Sequence, residues 1–481
     1  MAPWPSPASA GLKIIVLDDD PTGSQSVHGC PLLLRWDPAT LTQALNDPSP
    51  LLFLLSDTRS LEPRQAARRV DDICRALRAV LGEAPGDAPG SGGPGSWLMV
   101  SRGDSTLRGH FPLEIDRIAA ELGPFDATLL VPAFLEGGRT TVEGVHLLHG
   151  EPVHRSAFAA DARFGYPTSH LPAWVEHKSG GQRRAEAVQR ITLAELEPEG
   201  HQALVERLLA LRGNPVVVVD AQRPGQLEAL ARAIRVVLPL RRLLVQSAAS
   251  LLQALAALPP QPLPPAGLAR LRRGTAPGAV LVGSHVPLSD QQLQHLLAEP
   301  ACAGVELPVD RVLEALRQLR PAPGSLPFPL ASAEMESVAA EALQPLQAEL
   351  LEPLRRAWSA GRTPVLFTSR GERSCRDIQE RQQLSLALAG LMARIAVRLP
   401  PELAYLISKG GTTSQTLLRD GLALAAVRLE GQLLPGLSLL RLPADHPRFP
   451  QLPLLTFPGN LGAADTLHQA WRLMEPEGGR L

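Results

Sequence analysis

The stretch Ile14-Ile15-Val16-Leu17-Asp18-Asp19-Asp20-Pro21-Thr22-Gly23-Ser24 decides the fold class. Its apolar run does not alternate with polar residues, so it reads as a strand buried on both faces, as in a parallel sheet. Carboxylates, a proline and a glycine then stop the strand abruptly. The same grammar recurs downstream. Leu51–Leu55 leads into Ser56-Asp57-Thr58-Arg59-Ser60, and Trp97–Val100 into Ser101-Arg102-Gly103-Asp104-Ser105-Thr106-Leu107-Arg108-Gly109. Thr128–Val131 leads into a loop ending Glu136-Gly137-Gly138-Arg139-Thr140-Thr141, and Val216–Val219 is a further such run. Helical spacing lies between the strands, as in residues 64–82, so the class is α/β.

Residues 258–278 carry prolines that fit neither a helix interior nor a central strand. Beyond them the pattern restarts with Ala279–Val282, Val365–Thr368 and Ala404–Ile407. We therefore expect two α/β domains with mainly parallel sheets, 1–260 and 276–481, and an active site in the interdomain cleft. The Gly/Pro/Ser-rich segment 83–96 reads as a flexible surface insertion.

Composition narrows the partners. The chain has 481 residues with 47 Lys+Arg against 48 Asp+Glu, which excludes a basic field spread over the whole protein for nucleic acid or an anionic membrane. Cys30, Cys74, Cys302 and Cys375 are scattered, without a zinc or disulfide pattern, which fits a reducing cytoplasm. The N-terminus lacks a signal-peptide pattern, and no apolar run is long enough to span a bilayer. Nearly every cation is arginine; the lysines are Lys13, Lys178 and Lys409.

In parallel α/β sheets, ligands bind beyond the carboxyl ends of the strands, so the loops there are the places for chemistry. Asp18, Asp19 and Asp20 could hold Mg²⁺, take a proton from a hydroxyl, or hydrogen-bond a polyol; the bland alternative is a capped, solvated turn. Arg59, Arg102, Arg108 and Arg139 suit a carboxylate, while Asp104, Ser105 and Thr106 suit hydroxyl groups. In the second half, Ile407-Ser408-Lys409-Gly410-Gly411-Thr412-Thr413 joins a strand to a helix start, a site for an anion beside a lysine. Gly283-Ser284 and Gly459-Asn460 are lesser glycine turns after strands. The histidines do not form a metal-ligand pattern, so the metal site is left unassigned.

A pocket for a hydroxylated acid in one domain and a phosphate loop in the other fit phosphoryl transfer. Two other readings compete. Asp18-x-Asp20-x-Thr22 resembles the nucleophile motif of haloacid-dehalogenase-type phosphatases, though neither the lysine nor the later acidic pair that they need is found. A non-catalytic nucleotide-binding module would not need the arginine-rich pocket.

The stretches DDDPTGSQSVHG, SDTRSL, SRGDSTLRGHFPLE, VPAFLEGGRTTVEG, WVEHKSGG, VLVGSHVPLSDQQL, PVLFTSR, YLISKGGTTSQTLL and FPGNLGAADTL, in this order, resemble the four-carbon acid sugar kinase family. The resemblance implies a sugar-binding first domain, a nucleotide-binding second domain, and ATP-dependent phosphorylation of the terminal hydroxyl of threonate, erythronate or 3-oxo-tetronate. It places substrate contacts on Asp19, Asp20, Thr22, Gly23, Asp104, Ser105, Thr106, Arg108, Gly109, Gly138, Arg139, Thr140 and Thr141. It places nucleotide contacts on Ser284, Gly410, Gly411, Thr412, Thr413 and Gly459.

The chain departs from many members at Arg102, at Gln246 and at Phe457-Pro458-Gly459-Asn460. Joined to the loop chemistry, the expected mechanism has Arg59, Arg102 and Arg139 anchoring the carboxylate and Asp19 or Asp20 acting as base. Lys409 and residues 410–413 hold the phosphates of ATP, with Mg²⁺ bridging them. The expected partner is a small-molecule sugar acid in the cytoplasm, and a homodimer is left open as the assembly.

Overall fold

A computed structural model describes residues 11–20, 27–82, 97–259, 261–319, 332–371 and 373–475. Thr22, Gly23 and the 83–96 segment lie outside the described residues. The chain divides into two compact units, the first ending at Gln261 and the second starting at Pro262.

The first unit carries β1 (Lys13–Asp18), β2 (Cys30–Leu33), β3 (Leu51–Leu55), β4 (Trp97–Arg102) and β5 (Ala127–Val131). It continues with β6 (Arg139–Val142), β7 (Val145–Leu148), β8 (Glu151–Pro152), β9 (Gln189–Ile191), β10 (Val216–Val219) and β11 (Leu243–Ser247). The main sheet runs β2-β3-β1-β4-β11-β5-β10-β9, with every pairing parallel. Ile14, Ile15, Val16 and Leu17 are at most 1% exposed, as the unbroken apolar run required. Full burial of each such side chain contributes about 1.5–3 kcal/mol.

The helix Pro63–Leu81 starts on a capping box between Glu62 and Gln65, with Pro63 in its first turn. It buries Ala66, Val70, Ile73, Cys74 and Leu77. Strands β6, β7 and β8 form a small antiparallel sheet that a search for unbroken apolar runs does not see.

Strand order places the chemistry. β2 and β3 lie on one side of β1, and β4 lies on the other. The β1/β4 border is therefore a topological switch point, where a crevice opens beyond the strand ends. The last register pair there is Asp18 opposite Arg102.

The second unit carries β12 (Ala279–Val282), β13 (Cys302–Leu307), β14 (Thr363–Thr368), β15 (Leu406–Lys409), β16 (Ala426–Leu434), β17 (Leu437–Arg441) and β18 (Pro453–Phe457). Its order is β13-β14-β12-β15-β18-β17-β16. The pairings from β13 to β18 are parallel, and β17 and β16 add an antiparallel hairpin. Burial along β16 alternates residue by residue, the mark of a strand packed on one face only. The switch point is the β12/β15 border, where Val282 pairs with Lys409. Among the described residues, no helix is long and apolar enough to cross a membrane.

Candidate active site

At the β1/β4 switch point, three successive aspartates meet three different environments. Asp18 is 1% exposed and ends β1. Burial pushes its carboxyl up to about 8 against the opposing pull of Arg102, so it holds its proton at neutral pH. Asp19 is gripped by Arg59 through two bonds, Nη2 to Oδ1 at 2.5 Å and Nε to Oδ2 at 3.0 Å. Arg102 Nη1 adds a third at 3.3 Å. Asp20 is more open, with 24% of its side chain exposed, and meets Arg59 Nη1 at 3.0 Å. Burial opposes the charge on Arg59, but Asp19, Asp20 and Asp104 overcome it and hold the guanidinium well above its ordinary range.

The loop after β4 supplies the next groups. Asp104 accepts from Arg108 Nε at 2.7 Å and from the Thr106 hydroxyl. Burial would raise its carboxyl, but Arg59 and Arg108 hold it below the usual carboxylate range. The loop is pinned from outside: Tyr166 Oη donates to Thr106 O at 2.6 Å, and His146 Nε2 lies 2.7 Å from Ser105 O. His146 is fully buried, and burial drives its pKa down to about 4, so it is neutral. Donation from Nε2 to Ser105 leaves Nδ1 to accept from Thr141 Oγ1 at 2.9 Å.

Arg139 folds back so that Nη1 donates to Gly137 O at 2.6 Å. A Cβ on Gly137 would collide with that guanidinium, and one on Gly138, where φ is +71°, would collide with the His149 ring. The glycine pair is thus what lets Arg139 take this position. Arg102 and Arg139 each keep a buried Nε–H without a partner.

A small cavity of about 20 Å³ lies among these groups, lined in part by Asp19, Gly103, Asp104, Arg108, Glu114, Gln246 and Ser247. That is room for about one water, so a larger ligand enters only as the surrounding side chains rearrange.

In the second unit, a cavity of about 380 Å³ opens at the β12/β15 switch point. It is lined by Gly283, Ser284, Gly410, Gly411, Thr412, Thr413 and Gly459, and by the apolar Val309, Leu384, Leu388, Ala389 and Met392. The glycines permit close approach. A Cβ on Gly283 would overlap the Thr413 hydroxyl, and one on Gly459 would lie 2.6 Å from Ser284 Oγ. Gly410 has φ +119° and opens the helix Gly411–Thr416, whose first residues line the cavity. Ser289 Oγ lies 2.9 Å from Ser284 Oγ and 2.8 Å from Gly459 O, and Arg370 Nη2 donates to Ser284 O at 2.8 Å.

The remaining residue expected at the phosphates is Lys409. It is fully buried and absent from the cavity wall. Its Nζ donates to Pro458 O and Gly459 O at 3.0 and 3.1 Å and lies 3.8 Å from the Phe457 ring centre. Burial, aided by Arg370, lowers it to about 7. In this position it ties the loop after β18 to the end of β15.

Two family models match the chain: a sugar-binding N-terminal domain over residues 14–255 and a nucleotide-binding C-terminal domain over 279–467. The chain belongs to the four-carbon acid sugar kinase family. It is 25% identical over 462 residues to the D-erythronate kinase of Heliobacterium modesticaldum, covering 94% of this chain and 95% of that one. It is 29% identical over 396 residues to the D-threonate kinase of Cupriavidus necator, covering 77% and 78%. The solved structure of a Salmonella typhimurium protein shares the fold, with TM-score 0.64 at 19% identity over 96% of this chain and 99% of that one.

For a chain of this kinase family the phosphatase alternative fails on chemistry as well. Asp18 is held protonated, which a carboxylate nucleophile cannot be. Lys178 Nζ is engaged by Phe164 O and Gly165 O at 2.8 and 3.1 Å.

Several groups escaped the sequence reading. Glu114 is 3% exposed and lies between the hydroxyls of Thr58 and Ser101. The available signal was a carboxylate four residues before Ile118, on a helix face that packs inward. Thr368, at the end of β14, lines the nucleotide cavity with a buried hydroxyl that lacks a partner. The apolar lining from the helix Ile378–Ala396 is also new, because its residues fall outside any strand-end loop.

Proposed function

We propose that this protein transfers the γ-phosphoryl group of ATP to the terminal hydroxyl of a four-carbon sugar acid of the erythronate or threonate type. The observation that carries the reading is the glycine cradle converging on Ser284 and Thr413, beside an apolar wall, in a cavity of nucleotide scale. The likeness to a D-erythronate kinase along nearly the whole chain supports the acceptor class.

The cradle residues Ser284, Gly410, Gly411, Thr412, Thr413 and Gly459 receive the phosphates, and Thr368 offers a further hydroxyl. Val309, Leu384, Leu388 and Met392 cover the base. On the acceptor side, the unmatched N–H groups of Arg102 and Arg139 take the carboxylate. Arg108, Asp104 and Ser105 position the hydroxyl-bearing carbons. Asp20 is the base: Asp18 is protonated, and both Asp19 oxygens are held by Arg59. Arg59 therefore organises the carboxylates more than it anchors substrate. In the reacting complex, the acceptor hydroxyl and the γ-phosphorus must meet in line while water is excluded.

Magnesium fits only as part of the nucleotide complex. Among the described residues, no group of three or more His, Cys, Asp or Glu is placed to hold a metal ion. The phosphates and water would supply most of its ligands, as is usual for Mg²⁺.

The test is a coupled ADP-release assay over four- and five-carbon sugar acids. The wild type should release ADP with a four-carbon acid. Asp20→Asn should lower kcat by roughly 10²- to 10⁴-fold with little change in the KM for the acid. An absence of ADP release with every four-carbon acid would reject the reading, and an unchanged kcat would reject Asp20 as base.

A further inference from the structure

We propose that Gln246 and Ser247, at the carboxyl end of β11, form the wall of the acceptor site that recognises an interior hydroxyl of the sugar acid. The inference rests on the acceptor-site reading above and names a specificity contact within it.

β11 lies directly beside β4 on the side away from β1, with Gln246 opposite Ser101 and Ser247 opposite Arg102. The pair therefore borders the same loop that carries Asp104 and Arg108. Both residues line the small cavity shared with Asp19, Asp104 and Arg108. Ser247 is 2% exposed, and its Oγ has no hydrogen-bond partner. Gln246 Oε1 is likewise buried and unmatched.

Two adjacent buried oxygens without donors are costly to leave unmet, and such groups rarely occur without a reason. The groups around them supply charge for a carboxylate and acids for hydroxyls. What the wall adds is neutral acceptor capacity, which suits a hydroxyl that must be read without being ionised. Gly103 brings the loop after β4 against this wall: a Cβ there would make an ordinary contact, 3.5 Å, with Gln246 Nε2. A site built to bond a hydroxyl discriminates steeply against an analogue lacking it, because its own polar atoms are then stranded.

The experiment compares wild type, Gln246→Leu and Ser247→Ala on D-erythronate, D-threonate and the matching 2-deoxy and 3-deoxy acids. ATP affinity and melting temperature serve as fold controls. Gln246→Leu should raise the KM for the hydroxylated acids roughly 10- to 100-fold while leaving ATP affinity unchanged. On the deoxy acid that lacks the recognised hydroxyl, the variant and wild type should perform alike. Ser247→Ala should act in the same direction with a smaller effect.

An equal penalty on all the acids, or a change confined to melting temperature, would show that the two oxygens hold a structural water, and the inference would fall. A wild type that turns over sugar acids while Gln246→Leu keeps every KM also overturns it, yet leaves the kinase reading intact. A wild type that neither binds nor phosphorylates any of these acids overturns both.

Discussion

Gly283 offers a sharp test of the nucleotide cradle. Replacing it by alanine adds one methyl group at the end of β12, where it would overlap Thr413 Oγ1 and stand 3.1 Å from Thr413 Cβ and 3.4 Å from its Cγ2. Rotating Thr413 clears the hydroxyl but not the Cβ, so the start of the helix Gly411–Thr416 must also give way by a few tenths of an ångström. Overpacking of this kind costs about 1–3 kcal/mol. Because the strain falls on the phosphate cradle, it should appear as an ATP affinity weakened roughly 5- to 150-fold. Sugar-acid affinity should stay unchanged, since Asp20, Asp104, Arg108 and Arg139 belong to the other unit. Isothermal titration of ATP into G283A, T413A and the double variant reads the effect. T413A alone loses one hydroxyl contact, and the double variant should recover most but not all of the G283A loss, because Oγ1 and Cγ2 are gone while the 3.1 Å contact with the Cβ at 413 remains. Wild-type ATP affinity in G283A, or strict additivity in the double variant, would refute the claim that Gly283 exists to admit Thr413.

Two further expectations concern the acceptor side. Burial, with the charge of Asp19 beside it, raises Glu114 from 4.5 to about 7, so the folded state holds its proton more tightly than the unfolded chain does. Its contribution to stability is complete below about pH 4.5 and is lost as pH rises towards 7. Glu114→Gln should therefore flatten the stability profile between pH 4.5 and 7 in denaturant titrations; parallel profiles would contradict the assignment. His146→Leu frees the Ser105 carbonyl and loosens the loop after β4. It should lower kcat/KM for the sugar acid by about 10²-fold with ATP affinity unchanged, and His146→Gln should restore part of the loss. Equal losses on both substrates would mean a general folding defect instead.

How much of this was legible in the sequence depends on whether the signal was local. Strands β1, β3, β4, β5, β10, β12, β14 and β15 announce themselves as unbroken apolar runs, because burial on both faces leaves nothing else to place there. β16 hides because it alternates, and β6 to β8 because they are short and partly exposed. The loops carrying Asp104, Arg139 and Gly410 were visible because they concentrate charge or glycine directly after such runs. Glu114 and His146 act through partners remote in sequence, Thr58 and Ser105, Thr368 reaches its cavity only through the fold, and nothing local marks the three. Lys409 shows a limit of local reading: its position beside two glycines suggested a phosphate ligand, while its Nζ is bonded to Pro458 O and Gly459 O of the loop after β18, partners 49 and 50 residues away.

The three aspartates show why adjacency in sequence is a poor guide to role. Asp18 still belongs to β1, so its side chain enters the interior and is neutralised by a proton. Asp19, just past the strand end, meets Arg59 and Arg102 and is neutralised by guanidinium. Asp20 lies one step farther out, keeps a quarter of its side-chain surface, and meets Arg59 Nη1. A base for a substrate hydroxyl must be reachable, and on the proposed reading Asp20, the most exposed of the three carboxylates, takes that role. The first two carboxylates then serve the third. A protonated Asp18 spares the site a further negative charge, and Arg59, gripped by Asp19, places a cation against Asp20. Removing Arg59 would thus take the cation from Asp20 as well as from Asp19.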